Sequence, residues 1–216
     1  SMSFDGQDDQ INITHSNVLS LENYQNFSIS FKCNFNSNAS EMWLINKSNG
    51  TGSQEKWAIN YKWNSHQGFI FHTHGIGGSQ GYYSNTFTPN TNQWYDITMT
   101  YDGDIEFYID GIYAGGENSV NLNLNATLAD LIFGGDEPNG NQFYFDGNLD
   151  DVQIWNTALS QSEIQNYMNC PPTGDEAELV GYWNFEEGSG TTALDLTANG
   201  NNGTINGASF DTDTPV

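Results

Sequence analysis

The sequence predicts an all-β protein, an antiparallel two-sheet β-sandwich with one short helix. Three observations carry that expectation. Apolar and polar residues alternate with a period of two in several segments, Asp-Gly and Asn/Gly/Ser clusters separate those segments, and one capping signature marks a helix. The composition agrees, since 14% aromatic residues and 23 glycines in 216 residues suit half-buried strands joined by tight turns better than amphipathic helices. A chain of this length is normal for one large sandwich.

In chain order, the alternation is clearest at Phe27-Ser28-Ile29-Ser30-Phe31, from Trp57 to Trp63, from Ile105 to Ile109, and from Leu149 to Trp155. Each reads as a strand with one buried face. Asp102-Gly103, Asp110-Gly111 and Asp146-Gly147 offer the positive φ angles that hairpin turns demand. Ser160-Gln161-Ser162-Glu163 forms a capping box ahead of Ile164, Tyr167 and Met168, and the helix should end near Cys170, because Pro171-Pro172 cannot continue it. Pro171 to Glu178 reads as a connector, after which Leu179 to Phe185 alternates as a strand again. Residues 3–216 are expected to form one domain, with 179–210 as C-terminal strands folding back onto the sandwich. Ser1-Met2 reads as an expression scar.

The charge balance excludes whole classes of partner. Four Lys and no Arg stand against 27 Asp plus Glu, a formal net charge of −23. Phosphate contacts need clustered basic side chains, so nucleic acid and anionic membranes are not expected partners. Carboxylates in such excess repel one another unless salt screens them or cations bind them, which directs attention to divalent metal sites. No apolar run is long enough to span a membrane as a helix. The two cysteines, Cys33 and Cys170, have no metal or redox spacing, and both readings stay open: one disulfide, or two separate thiols.

Gly147-Asn148-Leu149-Asp150-Asp151-Val152-Gln153-Ile154-Trp155-Asn156-Thr157-Ala158-Leu159-Ser160, followed by Glu163-Ile164, resembles the closing signature of laminin-G-like and pentraxin domains of the concanavalin A-like jelly-roll group. Phe4-Asp5-Gly6 with Asp8-Asp9, Trp94 to Gly103, and Phe107-Tyr108-Ile109-Asp110-Gly111 agree in order. The resemblance covers most of the first 170 residues. Leu179 to Gly190 with Asp195 resembles the segment that usually precedes the Phe-Asp-Gly strand, yet here it comes last. The resemblance implies a jelly roll and a structural Ca²⁺ tying the first and last strands to a loop, drawing on Asp5, Asp9, Asp150 or Asp151, Glu186 or Glu187, and Asp195. The pentraxin counterpart implies a second calcium position at Asp136 in Gly134-Gly135-Asp136-Glu137. It also implies a secreted or cell-surface module, monomeric and tethered within a multidomain protein.

No motif for catalysis stands out. Glycosidase relatives of this sandwich set two carboxylates on one strand at Glu-x-Asp-x-Glu spacings, which are missing here, as are nucleophile elbows, phosphate loops and His-Glu-x-x-His. The chain is therefore expected to be non-enzymatic, with a glycoside hydrolase or polysaccharide lyase left as an alternative only if folding brings together a carboxylate pair that sequence spacing hides. A ligand face is suggested instead by the gathering of Lys47, Lys56, Lys62, His66, His72 and His74 between Trp43 and Tyr83. If Trp57, Ile59 and Tyr61 point inward, alternation turns Asn60, Lys62, His72 and His74 to the opposite face, beside Tyr82 and Tyr83. Aromatic rings that stack on sugars, with polar donors beside them, would suit a polysaccharide or glycan that is neutral or lightly charged. The alternative is a solvated strand face over an aromatic core, in a spacer or protein-interaction domain.

Overall fold

The computed structural model describes residues 1–47, 56–62, 65–75, 78–124, 127–135 and 143–215, with only the backbone path for Lys56, His74, Gly75 and Gly78. In chain order the strands are β1 Met2–Asp5, β2 Gln10–Ile13, β3 Phe27–Phe35, β4 Met42–Lys47, β5 Lys56–Tyr61, β6 Phe69–Gly75, β7 Gly78–Tyr83 and β8 Trp94–Tyr101. They continue as β9 Ile105–Ile109, β10 Ile112–Glu117, β11 Leu131–Phe133 and β12 Asp146–Trp155, then helix α1 Gln161–Asn169. Four more strands close the chain: β13 Leu179–Trp183, β14 Thr192–Ala193, β15 Gly203–Asn206 and β16 Ser209–Phe210.

These strands make two antiparallel sheets. The first runs β10-β9-β8-β3-β12-β1-β16 with β13 also on β12, and the second runs β14-β15-β2-β11-β4-β5-β6-β7. The core lies between them, where Phe31, Phe35, Tyr61, Phe69, Phe133 and Trp183 meet ring against ring. The C-terminal strands enter both sheets: β13 hydrogen-bonds to β12, β16 to β1, and β15 to β2. Trp183 is fully buried against Phe133, and its indole N–H donates to the Asn201 carbonyl at 3.0 Å.

The helix begins where its capping box places it. The Glu163 amide donates to Ser160 Oγ, the Ser160 amide donates to Glu163 Oε2 at 2.8 Å, and the helix stops before Cys170. Its apolar face, led by Ile164, packs on Trp155, Tyr108 and Tyr182 on the outside of the first sheet. Asp110-Gly111 makes the β9–β10 turn, both residues in the left-handed region at φ 51° and 68°. Two expectations are corrected. Asp146-Gly147 opens β12 instead of turning, and Gly147 is needed because a Cβ there would meet the Asn34 carbonyl. The strand expected to reach Trp63 stops at Tyr61, since Lys62 takes φ 61°. Both cysteines are free thiols, Cys33 buried in the core and Cys170 exposed beyond the helix, so the disulfide does not form.

Candidate functional site

The outward face of the second sheet is built by strict alternation. Trp57, Ile59, Tyr61, Phe69 and Phe71 enter the core. Their neighbours Asn60, Ile70 and His72 therefore turn away from it, as predicted for Asn60 and His72. Strand register sets Trp43, Asn60, Ile70 and Tyr83 side by side in one row across β4 to β7. A second row runs Asn12, Ile132, Asn46, Ala58, His72 and Gly81.

This face is closed over, unlike both the open ligand face expected and its solvated alternative. Asn46, Asn60 and Ile70 have no exposure, and Trp43 and His72 are buried. Phe143 stacks on the Trp43 indole with rings 10° from parallel, and His72 meets the same indole edge-on. Tyr83, 40% exposed, marks the open margin, with the His66 ring 5.0 Å away. Within this closed layer the Asn60 side chain has neither its oxygen nor its nitrogen hydrogen-bonded, and Asn46 Oδ1 and Asn12 Oδ1 are likewise buried without partners. Leaving a buried polar group unpaired costs about 1–3 kcal/mol, so three such amides on one face are a sizeable liability.

Two expected ligand residues behave differently, and a third is not described beyond its backbone. Tyr82 points into the core, because register pairs it with Phe71 on the inward row, and its hydroxyl donates to Gln80. Lys62 leaves the row with its positive φ, and its ammonium donates to the Ala39 carbonyl. His74 sits on β6 with its side chain outside the described residues. Trp43, Asn46 and Asn12 were not foreseen: the apolar run Met42 to Ile45 in β4 shows no alternation, and a bulge between Trp43 and Ile45 decides which residues of the strand face out.

The acids expected around one calcium divide into separate groups. Asp5 lies opposite Asp146, and Met2 opposite Leu149, so Asp150 falls four residues further along, about 13 Å at ordinary strand rise. Asp5 instead gathers with Asp8 and Asp9, one carboxylate oxygen of each within 4.8 Å of the others. Asp9 is the buried member; burial pushes its carboxyl above the usual range, against the hydrogen bond its Oδ2 accepts from the Asp5 amide. Oxygen donors at that spacing suit a hard cation such as Ca²⁺. Asp150 and Asp151 belong to the outer face of the first sheet, where Asp151 takes the Lys32 ammonium at 2.6 Å and the Tyr182 hydroxyl at 2.7 Å. Asp195 is saturated: Tyr182 N, Thr197 N and Thr197 Oγ1 donate to one oxygen, Asn201 N and Nδ2 to the other. That set fits a loop organiser and leaves no lone pair for a metal. Glu187 accepts from the Leu194 amide in the same region. Asp136 lies outside the described residues.

Comparison with known proteins agrees with the fold. A profile described as the concanavalin A-like lectin/glucanases superfamily matches residues 5–165. A Bacteroides ovatus protein to which carbohydrate binding is attributed superposes on all of this chain with a TM-score of 0.72 at 18% identity, this chain covering 60% of it. The CBM40 module of a Ruminococcus gnavus IT-sialidase superposes with a TM-score of 0.58 at 13% identity over 76% of this chain and 95% of its own. In sequence, the zebrafish (Danio rerio) adhesion G-protein coupled receptor V1 is 29% identical over 67% of this chain, which spans only 2% of that receptor. At such identities the structural likeness is one of fold.

Proposed function

This chain belongs to the concanavalin A-like lectin/glucanases superfamily, and from that premise we propose that it is a non-catalytic carbohydrate-binding module of a larger secreted or cell-surface protein. The observation that carries the reading is the Asn60 amide, buried with both its atoms unpaired in a row between Trp43 and Ile70, on a face whose margin exposes Tyr83. Once the Phe143–Trp43 stack over this face moves aside, a partner rich in hydroxyls would reach the group, and one amide satisfies a donor and an acceptor of a sugar at once. Tyr83 offers the ring on which a sugar face stacks, and Asn46 and His72 extend the polar floor toward β4 and β6. The fold's likeness to carbohydrate-binding modules supports the same reading. With a net charge of −23, neutral glycans are favoured over sulfated or uronic-acid polymers.

A structural calcium ion fits Asp5, Asp8 and Asp9, where it would pin the turn between β1 and β2. The non-catalytic part of the proposal is supported by the missing Glu-x-Asp-x-Glu spacings and by the fold's likeness to carbohydrate-binding modules. A glycosidase needs its two carboxyls to face each other across the scissile bond.

The test is a glycan-array screen of the protein and of Asn60→Val and Tyr83→Ala. Binding that both variants lose by at least tenfold, while Asn60→Val melts no lower than the parent, supports the proposal. An Asn60→Val protein that binds normally, or melts far lower, would show that the amide serves the fold and not a ligand.

A further inference from the structure

The outer face of the first sheet carries a second set of unsatisfied groups. Register places Asp96, Lys32 and Asp150 side by side across β8, β3 and β12. Asp110 joins them at the end of β9, accepting the Asp96 amide on its Oδ1 at 2.9 Å. Helix α1 covers one part of this face, and the segment Asp211 to Pro215 covers another, held by Asn34 and Asn148 donating to Asp213 and Asp211. Between the end of the helix and Pro215 the face stays open as a trench of two lobes, about 440 Å³ each, with Lys32 in both. That size lies within the range of small-molecule sites.

One lobe is lined by Lys32, Trp94, Asp96, Asp110, Met168 and Pro215. Its wall holds one acceptor without a donor, Asp96 Oδ1, and one donor without an acceptor, Trp94 Nε1, both buried and two residues apart on the same strand face. The Cβ–Cγ torsion of an aspartate is soft, so that oxygen can turn into the lobe with the backbone in place. Burial, with Asp110 and Asp151 nearby, raises the Asp96 carboxyl to about 7 in spite of Lys32. Lys32 does not satisfy it: the ammonium lies against Asp151, 2.6 Å from its Oδ2, and Asp96 Oδ1 accepts no hydrogen bond.

The field of the trench selects the ligand. Asp96 and Asp110 line one lobe, Asp150, Asp151 and Glu186 the other, and among the described lining residues Lys32 is the sole cation. A sulfated or carboxylated sugar is repelled, a hydroxyl is tolerated, and an ammonium is attracted, since it brings the charge and the donors that Asp96 and Asp110 lack. Trp94 adds a ring to stack against and an N–H that needs an oxygen. We propose that this lobe is a second saccharide site, selective for sugars carrying a free protonated amine, the ammonium on Asp96 and Asp110 and a neighbouring hydroxyl or ring oxygen on Trp94 Nε1.

This site and the Asn60–Tyr83 face lie on opposite sides of the sandwich, so either can fail alone. Calorimetric titration with a glucosamine oligomer, its fully N-acetylated counterpart of equal length and a neutral glucose oligomer tests it. The expected result is binding of the free-amine oligomer at least tenfold tighter than both others, lost by tenfold or more in Asp96→Asn and unchanged in Tyr83→Ala. Equal affinity for the N-acetylated oligomer, or an Asp96→Asn protein of unaltered affinity, overturns the proposal. Trp94→Phe, which keeps the ring and removes the N–H, gives a second measure: a weakening of threefold or more is expected, and no change removes the indole from the site.

Discussion

At the scale of single residues, the strand pattern showed which way a side chain points but not what it meets. Alternation placed Asn60 and His72 correctly opposite Trp57 and Ile59, yet it could not show that their face is closed over, because the rings of Trp43 and Phe143 come from β4 and from the approach to β12. The adjacent tyrosines Tyr82 and Tyr83 read alike in sequence, and only register on β6 sends the first into the core. Aspartates divide in the same way. Asp195, with five donors on its two oxygens, is expected to be a structural residue. Asp195→Ala should cost about 2–4 kcal/mol in urea unfolding, by loss of hydrogen bonds to a charged group, with the same loss in calcium and in chelator. Asp8→Asn should leave stability in chelator within about 0.5 kcal/mol, as expected of an exposed side chain, and remove any calcium-dependent rise in melting temperature. A calcium-dependent penalty for Asp195→Ala would return that residue to the metal site.

At the scale of elements, signals confined to a few neighbouring residues were legible, and those needing a distant partner were not. The helix was read to its boundaries because the Ser160–Glu163 capping box and the prolines after Cys170 act locally. The bulges were invisible: one in β4 turns Leu44 inward, and one in β12 holds Asp151 at φ 47°, beside Lys32 and Tyr182. Each answers to a partner strand, so the sequence of one strand does not reveal it. The strands after Glu178 were legible as strands, and their place follows from the pairing of β13 with β12 and of β15 with β2. A chain ending at Glu178 is expected to lose Trp183 from the core and expose the edges of β12 and β2, giving a protein that aggregates or melts at least 10 °C lower. A soluble truncation with unchanged melting would mean that the last strands are dispensable.

At the scale of the whole molecule, charge sets the conditions under which the sandwich is most stable. The chain carries 27 acidic groups against 4 basic ones, and two acids are buried on the outer face of the first sheet. Asp96 is raised to about 7 and Asp150 to about 6, mainly by burial, from an ordinary value of 3.8. In the unfolded chain both ionise near pH 4, whereas the folded protein keeps their protons until higher pH. Between about pH 4 and 7 the native state therefore binds more protons than the unfolded state, and stability must fall as pH rises through that window. Repulsion among the surface carboxylates acts in the same direction but is screened by salt, while a buried carboxyl is screened much less. Thermal melts from pH 4.5 to 8 should therefore show a melting temperature that declines toward neutrality, less steeply in high salt. Asp96→Asn should remove much of the decline that salt leaves and melt above the parent at pH 8, because its amide gives up no proton. A parent whose melting temperature rises from pH 5 to 7 would mean that Asp96 is ionised and paired in the folded protein, and the trench would then lack the unsatisfied acceptor on which its selectivity for amines depends.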